Sequence, residues 1–247
     1  MRPKQSAAVG VALGRFGAMR ISDRRHRKDE IGMKSPDASH DISEYSQLEP
    51  LFDAVRDASI LKELDHVDAN YAAWIAASPF FVLATHGADG LDCSPRGDEP
   101  GFVRLLDPKT LVIPDRRGNN RIDSLRNVLM DPRIALLFMI PGQGETLRVN
   151  GRCRINRDPD VLNTFAVAGK QPKLVLVVSV ESVFFQCSRA LVRSKLWDPA
   201  AQVAPGTLPT PGQILADITS QHVDLHRRVD GAAYDRELPE RIKTTLY

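Results

Sequence analysis

The chain has 247 residues, 43% of them hydrophobic and 26% charged, with a formal net charge of +2. That balance is typical of a globular protein and excludes collagen-like, low-complexity and disordered classes. No run approaches the roughly 18 apolar residues of a membrane span. Cys93, Cys153 and Cys187 are scattered and lack CxxC spacing, which argues against a disulfide framework or zinc site and for a reducing cytoplasm.

The near-neutral total hides an uneven split. The first 34 residues hold nine Lys or Arg against Asp23, Asp29 and Glu30, so the remainder is net acidic and argues against a nucleic-acid partner. Residues 1–40 read as a basic, disordered leader. Arg15 interrupts its apolar part and no small-residue cleavage pattern follows, unlike a signal peptide. Met19 or Met33 could equally open the chain.

Residues 41–200 carry the folded domain. Apolar residues at three- and four-residue spacing from Glu44 to Leu64 predict an amphipathic helix, and a second helix runs from Val67 to Ala77, stopped by Pro79. The pattern then turns to seven β-branched and aromatic runs: "FFVLATHG", "LDCSPRGD", "GFVRLLD", "TLVIPD", "RIALLFMIPG", "ETLRVNGRCRI" and "KLVLVVSVESVFFQC". The spacing predicts a mainly β fold with peripheral helices, an antiparallel barrel of about six to seven strands whose first four form a meander. Helices are expected in "NRIDSLRNVLM", "DPDVLNTFAV" and "SRALVRSKLW". Residues 201–247 read as a Pro-rich connection and one terminal helix, about Gln213 to Arg228, packed on the barrel.

The stretch "IPDRRGNNRIDSL" at 113–125 sets Arg116, Arg117 and Arg121 around Gly118, Asn119 and Asn120, where a strand gives way to a helix. Free backbone N–H groups, a glycine able to take positive φ and a helix N-terminus together make an anion-binding cup. Arg121 and Ser124, three apart in the first helical turn, are placed to grip one group of ligand oxygens, with Asn119 or Asn120 as N-cap. The competing reading is a solvated loop whose arginines pair with Asp115 and Asp123.

Taken with "SPRGD", "DPRIALLF", "LRVNGR" and "CSRALVRSKLWDP", this stretch resembles the FMN-binding split barrel of pyridoxamine 5′-phosphate oxidase-like proteins, over about residues 45 to 200. It is closer to the probable FMN-dependent subgroup of unassigned substrate than to the vitamin B6 enzyme itself. The resemblance implies a homodimer with FMN at the subunit interface. It places the FMN phosphate on Asn119, Asn120, Arg121 and Ser124, beside Asp115. It sets Thr146, in place of a glutamine, and Arg148 against the flavin, and it brings Arg193 and Trp197 from the second subunit. Trp197 would cover the ring or line the pocket; its alternative is a core residue plugging the barrel. "GFVRLLD" aligns with a strand that carries two basic residues in the family. Gly101 and Asp107 replace them here, and Arg96, on the strand taken as its hairpin partner, is expected to supply the charge.

The implied function is an FMN-dependent oxidoreductase acting on a small molecule. The ending "HRRVDGAAYDRELPERIKTTLY" lacks the family's substrate-recognition segment, so pyridoxamine phosphate is not the expected substrate. On this reading loss of Arg121 weakens FMN binding about tenfold to a hundredfold. The alternative function is a non-catalytic split barrel that binds or senses flavin, deazaflavin or haem, a haem requiring a ligand such as His86. His222 and His226, four apart, read as a solvated helix face, not a metal site, and Asp65, His66 and Asp68 as a turn and cap. No catalytic side chain is assigned.

Overall fold

The computed structural model describes residues 35–247, so the basic leader up to residue 34 lies outside the described residues. The chain divides into two units, one ending at Ala54 and one from Val55 to Tyr247. In the first, α1 (Tyr45–Leu48) is a single turn, closed by reciprocal hydrogen bonds between Glu44 and Gln47. The second holds α2 (Asp57–Leu61), α3 (Ala69–Ala77) and the whole β structure.

The long helix expected over 44–64 therefore does not form. Pro50 sits in a 3-10 turn, and Phe52 and Arg56 are extended. Leu48, Leu51, Phe52 and Val55 stay exposed, and a short helix without a buried face is marginal in water. The second helix forms where Asp68 accepts the backbone N–H of Tyr71 at 2.8 Å, and Tyr71 and Ile75 go into the core.

All seven strands form: β1 (Phe80–Gly87), β2 (Gly90–Gly97), β3 (Arg104–Asp107), β4 (Thr110–Pro114), β5 (Arg133–Met139), β6 (Thr146–Asn156) and β7 (Val175–Gln186). They make one antiparallel sheet in the order β2-β1-β5-β6-β7-β4-β3. The expected meander is corrected here. The hairpins β1–β2 and β3–β4 exist, but they occupy opposite edges, joined through β5, β6 and β7.

Alternation along the strands explains how the sheet curls. Phe81, Leu83, Leu111, Ile113, Leu136, Phe138, Leu147 and Val149 point to one core, closed by α3 and by Val128. Phe81 lies 5.7 Å from Phe102 and 5.1 Å from Phe138. A bulge at Glu181, where Asn150 pairs with Ser182 but Gly151 with Val180, switches the inward residues of β7 from Val183 to Val180 and Val178. Gly151 permits it, since a Cβ there would lie 2.1 Å from the Ser179 carbonyl oxygen. The other face of β4 and β7, with Val112, Val175 and Val177, is covered by Leu162 of α5 (Pro159–Thr164) and by Phe165.

Helix α4 (Asp123–Met130) joins β4 to β5 and α6 (Arg189–Ser194) follows β7. The terminal helix is corrected to two: α7 (Pro211–Thr219) and α8 (Gly231–Thr245). Asp230 accepts the Ala233 N–H at 3.0 Å and starts α8. The two helices cross glycine on glycine, a Cβ at Gly212 falling 2.2 Å from the Gly231 carbonyl oxygen. No helix among the described residues is long and apolar enough to cross a membrane.

Cys153 is buried, which pushes its thiol up to about 12, whereas Cys93 and Cys187 are exposed. A disulfide-exchange reagent at about pH 8 should therefore titrate two thiols in the native protein and the third only after denaturation. Three fast thiols would mean that β6 opens locally.

Candidate functional site

The strand-to-helix segment lines a cleft of the barrel, about 660 Å³ in volume. Residues 94–96 of β2 form one wall, residues 115–120 with Ile122 and Leu125 a second, and residues 170–174 with Tyr247 a third. β4 ends at Pro114, and the Asp115 N–H still pairs with the Leu174 carbonyl at 3.0 Å. Beyond it the chain leaves the sheet.

The turn into α4 differs from the sequence expectation. Gly118 does not take positive φ; Asn120 and Ile122 do, at 60° and 55°. The N-cap of α4 is Ile122, not an asparagine, and no side chain caps the helix. Asn119 instead accepts the Arg121 N–H at 3.1 Å. A β-branched residue in the left-handed region costs on the order of 1–3 kcal/mol and tends to mark functional backbone. Its effect is to leave the first N–H groups of α4 uncapped at the cleft, where the helix dipole favours an anion.

Arg96 Nη1 donates to Asp115 Oδ1 at 2.7 Å. β2 is not the neighbour of β3, so Arg96 reaches the cleft by facing the end of β4, not across the hairpin expected for it. Ser124 is buried under the cleft floor. It donates to Asp92 Oδ2 at 2.7 Å and lies 3.1 Å from Ser94 Oγ, to which Arg96 Nε donates at 3.4 Å. The hydroxyl thus pins α4 to β2, and the Asn127 amide, donating to Thr85 Oγ1 at 3.0 Å, ties it to β1. Arg121 does not line the cleft; it is 74% exposed and bound to Asp123 at 2.6 Å. The arrangement does not bring Arg121 and Ser124 together.

Arg116 faces inward. Its Nε donates to Asp98 at 2.5 Å and its Nη1 to the Phe165 carbonyl at 2.8 Å, and the Tyr247 ring lies 5.6 Å from the guanidinium. Burial pushes the Asp98 carboxyl up, but hydrogen bonds from Tyr247, the Glu99 N–H and Arg116 outweigh it and hold the group below the usual carboxylate range. The same contact with Asp98 raises the Tyr247 phenol. Arg117 and Lys173 line the cleft without an Asp or Glu partner among the described residues, and Lys170 Nζ donates to the main-chain oxygen of Tyr247, the last residue of the sequence, at 3.1 Å. Sequence reasoning missed Lys170, Lys173 and Tyr247 as site residues. The Gly- and Pro-punctuated "GKQPK" was the one available signal for the lysines.

The remaining expected residues gather elsewhere, around the turn between β5 and β6, and none lines this cleft. Thr146 is buried opposite Gln186. The Gln186 side-chain oxygen accepts from Arg148 Nε at 2.9 Å and Nη2 at 2.7 Å, while Phe184 lies 5.5 Å from the same guanidinium. Trp197 is half-buried outside the core and donates to the Gln143 carbonyl at 2.6 Å, which corrects its reading as a barrel plug. Arg193 is exposed on α6. His86 pairs with Asp131, at the C-terminal end of α4, at 3.3 Å.

The cleft's donor set suits a phosphate: backbone N–H groups at a helix start, a free arginine and a second arginine held at fixed geometry. Pro95, Leu125 and Leu174 give it an apolar surface beside the charges.

No curated protein matches the chain. Among solved structures it is similar to Group A Streptococcus HupZ, with 21% identity over 49% of this chain and 95% of that one, at a TM-score of 0.40. It is also similar to General Stress Protein 26 from Bacillus anthracis (17%, 46% and 88%, 0.34). A third likeness is an FMN-binding protein from Syntrophomonas wolfei (10%, 57% and 91%, 0.37). Residues 67–187, from the lead into α3 to the end of β7, match the family described as pyridoxamine 5′-phosphate oxidase. Over those residues, just under half of the chain, the barrel is similar to the pyridoxamine 5′-phosphate oxidase family.

Proposed function

We propose that the chain is an FMN-dependent oxidoreductase acting on a small molecule, with the flavin held noncovalently at a homodimer interface. The observation that carries this reading is the uncapped start of α4, opened by left-handed Ile122, at the mouth of a cleft lined by Arg96 and Arg117. The phosphate of FMN would be held by that backbone turn with Asn119 and Asn120, by Arg117 and Arg96, and by Arg121 at the edge. Ser124 keeps the turn in place. When bound, the flavin supplies two-electron redox chemistry, and the protein supplies binding, orientation and exclusion of water.

The second group, Thr146, Arg148, Arg193 and Trp197, would complete the site from the partner subunit. Phe185, Val192 and Leu196 nearby are exposed in the single chain, as residues awaiting a partner surface are.

Catalysis is tested by mixing the FMN-loaded protein anaerobically with NADH or NADPH and then with candidate acceptors. Reduction of the bound flavin followed by repeated reoxidation supports an oxidoreductase. A flavin that stays oxidised with every donor assigns the barrel to flavin storage or sensing.

A further inference from the structure

The two terminal helices hold together as a unit of their own. Helices α7 and α8 cross at Gly212 and Gly231, and the Asp235 carboxylate on α8 accepts the Gly212 N–H at 2.8 Å and the Thr210 hydroxyl. The loop between them is tied by the Val229 N–H on Thr219 Oγ1 at 2.9 Å and by Arg228 Nε on the His222 carbonyl at 3.0 Å. Bonds at both ends of the helix pair make it one body. Residues 201–210, which lead into it, are exposed throughout and include Pro205, Pro209 and Gly206, the glycine at a φ of 78°. A connection with no packing to fix it is where a hinge forms.

This arm adds no residue to either buried cluster of the barrel, and Ile214, Ile218, Leu225, Ile242 and Leu246 stay exposed on it. Among the described residues, the hydrogen bonds that join residues 203–247 to the barrel are both made by Tyr247. Its phenol donates to Asp98 at 2.7 Å, its ring lies 5.6 Å from the Arg116 guanidinium, and its main-chain oxygen accepts from Lys170 Nζ at 3.1 Å. Arg116 stands on the second wall of the cleft and Lys170 on the third, so one residue spans the gap between them.

We propose that the α7–α8 arm is a hinged cover over the cleft and that Tyr247 is its latch. Latched, the arm completes the cleft wall; released, it swings on residues 201–210 and opens the cleft for a ligand to enter and leave. A cover held by one side chain opens by breaking few bonds, which suits the microsecond-to-millisecond motions of such elements. The inference takes FMN as the ligand and in that rests on the flavin reading.

Spin labels at Ile218→Cys on the arm and Leu91→Cys on the barrel, with Cys93→Ser and Cys187→Ser and Cys153 left buried, report the arm's position without any ligand. Dilution into unlabelled chain restricts the signal to pairs within one protomer. With Tyr247 intact the distance distribution should be narrow, and in Tyr247→Ala it should broaden. Tyr247→Phe, which keeps the ring over Arg116 and loses only the bond to Asp98, should fall between the two. In stopped-flow FMN binding both substitutions should raise the association and dissociation rates together, at least about fivefold, while equilibrium affinity stays within about threefold. The loss of a hydrogen bond to a charged group shifts the open fraction about tenfold to a hundredfold. Distances that ignore both substitutions overturn the cover. So does faster dissociation at an unchanged association rate, which would make Tyr247 a direct contact of the flavin. A protein that takes no FMN at all would sink the flavin reading alone, and the spin-label distances then decide the latch.

Discussion

Replacing Asp98 with alanine should lower stability by about 3–5 kcal/mol, the cost of leaving a buried charge without its partner. The Asp98 side chain is 4% exposed and that of Arg116 16%. Without the carboxylate, the guanidinium keeps only the Phe165 carbonyl and the Tyr247 ring, and the Tyr247 hydroxyl loses its acceptor at 2.7 Å. Urea denaturation should show a lower midpoint at unchanged slope. Asp65→Ala is the control: its pairing with Lys109 at 2.8 Å is exposed, and such surface pairs contribute about 0–1 kcal/mol. A loss under about 1 kcal/mol for Asp98→Ala would show that the pair is not buried in solution. The pH dependence follows from the same contacts. The folded Asp98 carboxyl titrates below its unfolded value, so its stabilisation is complete above about pH 4 and is lost as pH falls through the folded value. The acid limb of the stability curve should be shallower in Asp98→Ala than in the parent chain.

The second large effect is on cofactor affinity. Arg96→Ala and Arg117→Ala should each weaken FMN binding about tenfold to a hundredfold, since a charge-assisted hydrogen bond contributes roughly 1.5–3 kcal/mol. Arg96 has the larger expected effect. Its removal also leaves Asp115 facing the phosphate as an uncompensated negative charge. Arg121→Ala, in contrast to what the sequence suggests, should weaken binding less than about threefold, because the side chain is exposed, paired with Asp123 and off the cleft wall. Fluorescence titration of FMN into the three variants checks the order. If Arg121 proved dominant, the loop ahead of α4 would have to turn Arg121 inward on binding.

Much of the fold is legible in the sequence because each strand carries its own alternation. Phe81 and Leu83 point inward with polar or smaller neighbours between, and Leu111 and Ile113 do the same. Neighbour relations are not local. "LDCSPRGD" and "GFVRLLD" follow each other in the chain, yet they end on opposite sheet edges because β7 pairs with β4 and β5 with β1. Apolar spacing around Leu48 and Phe52 imitates a helix, but spacing cannot reveal that both residues stay exposed. At the site, the arginine-rich turn was visible from its residue types. Its geometry was not, because Gly118 is the residue free to take positive φ while Asn120 and Ile122 take it. The third wall was hidden for another reason: Lys170 and Tyr247 lie far along the chain from Arg117, and only the folded barrel and α8 bring them to it.

The claim that the β4–α4 turn and its cleft hold FMN is tested most directly by the absorbance spectrum of the purified protein, with mass analysis of what heat releases. The account predicts flavin absorbance bands and released FMN, or, for protein purified without cofactor, saturable uptake of added FMN. A colourless protein that also fails to bind added FMN would contradict it.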